Sequence, residues 1–154
     1  MGCGTVFSIS AAGKETVLYA FKGGSADGEF PSASLLKVNG KLYGTTSGGY
    51  NREGTVFAIT TSGKETSLYS FKGAPDGAQP SAPLLNVKGT LYGTTAKGGS
   101  GCSSGCGTVF SITKSGKETV LHSFGEANED GRYPLAGLID VGGMVGEGDE
   151  SLEY

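Results

Sequence analysis

Short runs of alternating apolar and polar residues, separated by glycine-rich turns, cover most of the chain. One set of four runs, which we name strands A, B, C and D, comprises Ser34–Val38, Lys41–Thr46, Thr55–Thr60 and Glu65–Phe71. Such alternation between turn residues predicts β-strands. The Asn39-Gly40 pair between A and B predicts a type I′ hairpin turn, because both residues tolerate positive φ. No stretch has convincing helical periodicity, so the pattern predicts an all-β protein.

The same set of runs occurs again along the chain. The segment GTVFSI at Gly4–Ile9 returns as GTVFAI at Gly54–Ile59 and as GTVFSI at Gly107–Ile112, at spacings of 50 and then 53 residues. Each copy continues into a GKET segment that begins strand D, where we interpret the charges as protection of a sheet edge. Four antiparallel strands per repeat of about 50 residues are typical of a β-propeller blade. We therefore predict a propeller built from four-stranded antiparallel blades.

The repeats divide the single domain 1–154 into whole and split blades. Strands C and D alone occupy 1–23, complete blades occupy 30–72 and 79–124, and a half blade of A and B occupies 133–154, with a tail that departs from the pattern from Met144 onward. About three blades are fewer than the roughly 4–8 of known propellers. Two chains could complete each other's split blades in a six-bladed ring, so we expect a homodimer. The alternative is an open fragment of a longer protein.

The repeated sequence is specific enough to compare with known families. The segments LYGTT, GTVF, GKET and LYSF follow one another in fixed order, and the pattern spans about residues 2–141. This order resembles the GloVer tandem repeats of bacteria. The blade pattern is also similar to kelch, although the kelch tryptophan is missing. The resemblance implies a secreted or surface-anchored protein and brings no catalytic motif with it.

Composition and charge narrow the function classes. Twenty-nine glycines and an apolar share of 36% favour thin buried layers over one large core. A net charge of −3 gives no phosphate-binding face, so we do not expect nucleic-acid binding. No apolar stretch approaches the ~20 residues of a membrane span. Met1 is not followed by a charged and then apolar leader, so no signal peptide is expected in this sequence.

Hydroxyl and aromatic residues of the LYGTT segments are the first binding candidates. They are Tyr43, Thr45, Thr46, Tyr92, Thr94 and Thr95. Tyrosine rings with neighbouring hydroxyls suit sugar binding, although Tyr and Thr also simply favour strands. The Asp-Gly turns give a second set, Asp27, Asp76 and Asp130, which either form turns or line a ligand site at one mouth of the ring.

Histidine and cysteine positions offer other chemistry. His122 stands where the other copies have Tyr19 and Tyr69, which makes it a weak candidate for a catalytic base. Cys102 and Cys106 are candidates for a short disulfide, whereas Cys3 is expected to remain a thiol or to bridge two chains. With one histidine and three cysteines, we expect no metal site and no cofactor.

Three functions are consistent with this sequence. The first is a secreted or surface propeller module that binds a carbohydrate or a protein through repeated loops. The second is a small hydrolase with its active site in the propeller channel. The third is a structural repeat fragment without an activity of its own. Near-identical copies favour the first and third, because catalysis needs one asymmetric site.

Overall fold

The computed structural model describes residues 3–24, 27–103, 105–127, 129–142 and 144–147. Within these ranges the protein is all-β, as predicted, with no α-helix and one turn of 3-10 helix at Tyr50–Arg52. The strands in chain order are β1 (Thr5–Ile9), β2 (Glu15–Ala20), β3 (Leu36–Val38), β4 (Lys41–Thr46), β5 (Thr55–Thr60), β6 (Glu65–Ser70), β7 (Gly77–Ala78), β8 (Leu85–Val87), β9 (Thr90–Thr95), β10 (Lys97–Gly98), β11 (Thr108–Ile112), β12 (Glu118–Ser123), β13 (Leu138–Val141) and β14 (Met144–Glu147).

Two four-stranded antiparallel sheets form the middle of the chain. Their strand orders are β3-β4-β5-β6 and β8-β9-β11-β12. Three two-stranded antiparallel sheets join β1 to β2, β7 to β10, and β13 to β14. None of the sheets closes on itself within the described ranges. Strands A to D of the second copy correspond to β3–β6, with A starting two residues later and D ending one residue earlier than predicted.

The hairpin turns follow from the residues at their tips. Asn39 and Gly40 have φ values of 49° and 77°, which confirms the predicted turn with two positive φ angles. Lys88 and Gly89 repeat it between β8 and β9 with φ values of 49° and 94°. The A–B hairpin is thus a local feature that each copy encodes separately.

The hydrophobic core consists of layers between neighbouring sheets. Phe21, which follows β2, packs edge-on against Phe57 of β5, with ring centroids 5.1 Å apart. Phe71, which follows β6, packs in the same way against Phe110 of β11, also at 5.1 Å. All four rings are at most 5% exposed. The first and second copies therefore each bury their last aromatic residue against the third strand of the next copy.

The last two strands keep the register of the repeat although the sequence changes. Val141 of β13 lies opposite Met144 of β14, as Val38 lies opposite Lys41 in the second copy. Although the sequence departs from LYGTT here, the structure forms a strand at this place, β14. The end of that predicted unit, residues 148–154, lies outside the described residues.

Candidate functional site

The LYGTT residues lie inside the protein. Tyr43, Thr45, Thr46, Thr94 and Thr95 are at most 4% exposed, and Tyr92 is half-buried. The Thr46 hydroxyl donates to the Gly48 carbonyl at 2.8 Å and lies 2.7 Å from the Thr55 hydroxyl. Thr95 forms the matching contact with Thr108 at 2.8 Å. The four threonines are thus buried and their hydroxyls bond within the chain, so these side chains pack the sheets.

The Asp-Gly residues hold the loops between repeats. Asp27 Oδ2 accepts hydrogen bonds from the Tyr19 hydroxyl at 3.0 Å and from the Lys22 N–H at 2.8 Å. Asp76 accepts the same pair of bonds from Tyr69 and from the Lys72 N–H, at 2.8 and 3.0 Å. Both carboxylates therefore bond to the last strand of a repeat and to the loop that follows it.

His122 takes the tyrosine's place in the third copy of this contact. Its Nε2 lies 3.2 and 3.1 Å from the two carboxylate oxygens of Asp130, which also accepts the Gly125 N–H at 2.9 Å. Desolvation opposes the charge on Asp130, but the bonds from His122 and Gly125 outweigh it and lower the pKa of that carboxyl. Ser123 is adjacent in β12 and so points to the opposite face, where it cannot act as a nucleophile for His122.

A second carboxyl group approaches Asp27 and Asp76 from the next repeat. Glu65 of β6 lies near Asp27, and its pKa is raised to about 6 by burial and by the charge of that aspartate. Glu118 of β12 lies near Asp76, and burial followed by the charge of Asp76 raises its pKa to about 7 against the opposing effects of Tyr69 and Lys72. The Oε1 atom of Glu118 is buried and has no hydrogen-bond partner. Glu65 and Glu118 thus lie at the boundaries between repeats, a placement that the interpretation of these charges as edge protection did not include.

The same boundary raises the pKa of the tyrosines. Burial, then the hydrogen bond to Asp27, raises the pKa of Tyr19 to about 12. Burial and the bond to Asp76 raise the pKa of Tyr69 further. Both phenols therefore stay protonated at physiological pH and act as permanent donors to their aspartates.

Cys102 and Cys106 are joined by a disulfide whose Cα atoms lie 5.6 Å apart. The bridge lies in the loop between β10 and β11, and Cys106 is 1% exposed. Cys3, at the corresponding position of the first copy, is half-buried.

One corner of each repeat has an unusual backbone. Phe30, Gln79 and Tyr133 have φ values of 58°, 55° and 56°, in the left-handed region that such side chains rarely adopt. Each residue precedes a proline, and each donates its N–H to a carbonyl of the preceding copy at 2.7 to 2.8 Å. The carbonyls belong to Cys3, Glu53 and Cys106. The strained corner therefore links one repeat to the next, and it points an aromatic or amide side chain outward.

Two of these corner residues flank one surface cleft of about 500 Å³. Its lining residues are Glu29, Phe30, Ser47, Gly48, Arg52 and Gln79. Phe30 is 55% exposed there, and Arg52 is exposed beside it. An exposed ring, a guanidinium, a carboxylate and an amide around one concave surface can stack on an apolar face and hydrogen-bond several hydroxyl groups.

Sequence reasoning did not select these residues, although a signal was present. The residue before the repeated proline is Phe, Gln or Tyr, so its chemistry varies while the proline itself is present in all three copies. The LYGTT residues were selected as binding candidates instead, because these segments recur almost unchanged. Among the described residues, no group of three or more His, Cys, Asp and Glu side chains is arranged to hold a metal ion.

Comparison with known proteins gives the family. The described part of the chain contains no helix of the length and hydropathy needed to cross a membrane. No curated protein matches the chain. The model of the Gloeobacter/Verrucomicrobia repeat matches residues 1–146, nearly the whole sequence. The repeat spacing, the sheet order and this match agree, and the chain belongs to the Gloeobacter/Verrucomicrobia repeat family.

Proposed function

We propose that the chain is a carbohydrate-binding repeat module that holds its ligand in the cleft between Phe30 and Gln79. The observation that carries this proposal is the meeting of two corner residues from consecutive repeats at one concave surface. Its volume of about 500 Å³ lies within the range typical of small-molecule sites. Phe30 would stack on the apolar face of a sugar ring, and Arg52 and Glu29 would bond its hydroxyl groups.

The proposed arrangement of the sheets is that of propeller blades. Support comes from the sequential order β3-β4-β5-β6 and from the aromatic layers between one sheet and the next. The homodimer that would close a six-bladed ring stays a prediction. Light scattering measures it directly, since the dimer has twice the 15.5 kDa of one chain.

The proposed compartment is outside the cytoplasm, either secreted or at the cell surface. The disulfide between Cys102 and Cys106 supports this proposal, because disulfides persist in oxidising compartments. Alkylation of freshly isolated protein under denaturing conditions tests it. If Cys102 and Cys106 fail to react with the alkylating agent, their disulfide was present in the cell, which supports export. If both react, the protein came from a reducing compartment.

A glycan array tests the ligand class, with a matched pair of variants. Phe30→Ser removes the exposed ring from the cleft, and Leu121→Ser removes a similarly exposed side chain from β12. We expect the first to reduce glycan binding about tenfold or more, and the second to leave it unchanged. Equal binding by both variants would show that the cleft is not the site.

The same protein should be tested with peptides and with generic ester and glycoside substrates. Binding of a peptide but of no glycan, lost in Phe30→Ser, would favour a protein ligand at the same cleft. Hydrolysis that disappears in His122→Tyr would favour the enzyme alternative. Without binding or turnover in any of these assays, the module would be structural.

A further inference from the structure

The third strand of each four-stranded sheet is hydrogen-bonded to a neighbouring strand at both of its edges. β5 pairs with β4 and β6, and β11 pairs with β9 and β12. Their counterpart in the first copy, β1, pairs only with β2 within the described ranges. The other edge of β1 therefore presents open backbone groups, and such edges bind further strands.

Two apolar side chains of β1 are exposed, because within the described residues this strand lacks both a neighbour on its second edge and a preceding sheet to pack against. In the second copy, Phe57 and Ile59 pack against Val6 and Phe21 of the preceding copy as well as lying beside β4. Phe57 and Ile59 of β5 are 1% and 0% exposed. Their repeat equivalents Phe7 and Ile9 are 49% and 62% exposed, although β1 pairs with β2 in the same register, including the same irregularity. The sequence of β1 is thus that of a covered strand.

The covering strands have one steric feature in common. Gly44 of β4 lies opposite Phe57, and a Cβ at this glycine would lie 2.6 Å from the Phe57 Cζ. Gly93 of β9 lies opposite Phe110, and a Cβ there would lie 2.7 Å from the ring. Neither glycine has a positive φ, so the space taken by the ring is the reason that each must be glycine.

We propose that the free edge of β1 is a docking site for one antiparallel strand of the pattern Leu-Tyr-Gly-Thr-Thr, supplied by another copy of this repeat. The glycine of the incoming strand lies opposite Phe7, and its leucine lies opposite Ile9, as in the β4–β5 pair. Its last threonine meets Thr5, just as Thr46 meets Thr55 at 2.7 Å. Recognition therefore occurs by β-strand addition, and the incoming strand must have glycine opposite Phe7. We call this requirement the glycine rule.

The chain's own β14 fits this edge poorly. The shared register places Glu147 of β14 at the repeat position of Gly44. If β14 of a second copy paired with β1, a residue with a side chain would lie opposite Phe7, where the ring leaves room for glycine alone. The requirement for glycine opposite Phe7 therefore distinguishes a Leu-Tyr-Gly-Thr-Thr strand from the end of this same chain. It also competes with the six-bladed homodimer, in which β14 of one chain would pair with β1 of the other.

The test uses the full chain and a labelled peptide of residues 40–49, GKLYGTTSGG, with binding measured by fluorescence anisotropy. The matched peptide carries alanine in place of Gly44. Alanine costs less chain entropy than glycine, so any loss must come from the added methyl group. We expect the alanine peptide to bind about tenfold more weakly, as overpacking of a close contact predicts. Phe7→Ala in the protein should remove this difference.

Two charge variants locate the site. Ile9→Asp places a carboxylate in the proposed edge and should abolish peptide binding, whereas Leu121→Asp places one at a similarly exposed position of β12 and should not. Hydrogen exchange should slow at β1 when the glycine peptide binds. Both variant sites are at least half exposed, so the fold should tolerate either change.

Several results would overturn the proposal. They are failure of the glycine peptide to bind, equal binding of the two peptides to the unaltered protein, and binding that survives Ile9→Asp. A stable dimer whose β1 amides already exchange slowly and whose β1 edge the peptide cannot enter would show that β14 of a second copy occupies it. That result would contradict the glycine rule.

Discussion

Replacing Gly93 with alanine tests the packing between the sheets with a single methyl group. A Cβ at Gly93 would lie 2.7 Å from Phe110 Cζ and 2.9 Å from Leu84 Cδ2, closer than real Cβ atoms approach other atoms. The ring cannot move aside easily, because Phe110 is fully buried and packs against Phe71 with centroids 5.1 Å apart. The added methyl group must therefore displace a strand or a buried ring.

The size of the effect follows from two opposing contributions. Overpacking a buried site costs about 1–3 kcal/mol. Replacing glycine reduces the entropy of the unfolded chain and returns about 0.4–1 kcal/mol, because Gly93 has a φ that alanine can adopt. We expect a net loss of about 1–2 kcal/mol, or a melting temperature lower by roughly 2–8 °C for a chain of this size.

Thermal unfolding followed by circular dichroism measures this change. The matched control is Gly137→Ala, because Gly137 also lacks a positive φ and its nearest neighbour to a new Cβ, Pro83 Cδ, lies at 3.5 Å. The control should melt at the temperature of the unaltered protein or slightly higher. A Gly93→Ala protein that melts no lower than this control would show that the residue opposite Phe110 need not be glycine. The glycine rule proposed for β1 would then lose its basis.

Three further outcomes are expected. Gly40→Val should destabilise the protein by about 1 kcal/mol or more, because a β-branched residue resists positive φ even though the space around this Cβ is open; an unchanged melting temperature would contradict this. His122→Tyr should leave stability level or raise it by about 0.5 kcal/mol, since a phenol can donate to Asp130; a clear loss in thermal melts would argue for a specific role of the imidazole. The raised pKa of Glu118 means that the folded state binds more protons than the unfolded chain between about pH 4.5 and 7, so stability from this group falls as pH rises through that window. Denaturant titrations at several pH values should show a shallower fall in Glu118→Gln than in the unaltered protein, and an unchanged slope would contradict the assignment.

The sequence was sufficient for the features that depend on local chain chemistry. The Asn39-Gly40 turn is encoded by two residues that tolerate positive φ, and it forms as predicted. The strands follow from short alternating runs bounded by glycine, and their internal repetition predicted the order within each sheet. Such features need no knowledge of distant contacts, which is why they could be predicted.

The contacts between repeats were harder to predict because the partners are distant in sequence. Nothing local indicates that Glu118 of one copy will lie near Asp76 of the previous one. The same holds for the short pair of β7 and β10. β7 lies in the loop before β8, and β10 lies in the loop between β9 and β11 of the same sheet. The LYGTT tyrosines and threonines were proposed as a binding surface because a strand pattern alone does not say which face is covered.

The corner residues combine a fixed backbone with a variable side chain. Phe30, Gln79 and Tyr133 share a left-handed backbone and a hydrogen bond from their N–H to the preceding copy. These requirements concern the main chain, and the side chains of Phe30 and Tyr133 remain about half exposed. The fold therefore fixes where each corner side chain projects and leaves its chemistry open. On the function proposed above, a protein built from such repeats would change its ligand by substitution at one position per copy, without disturbing the layers that hold its sheets together.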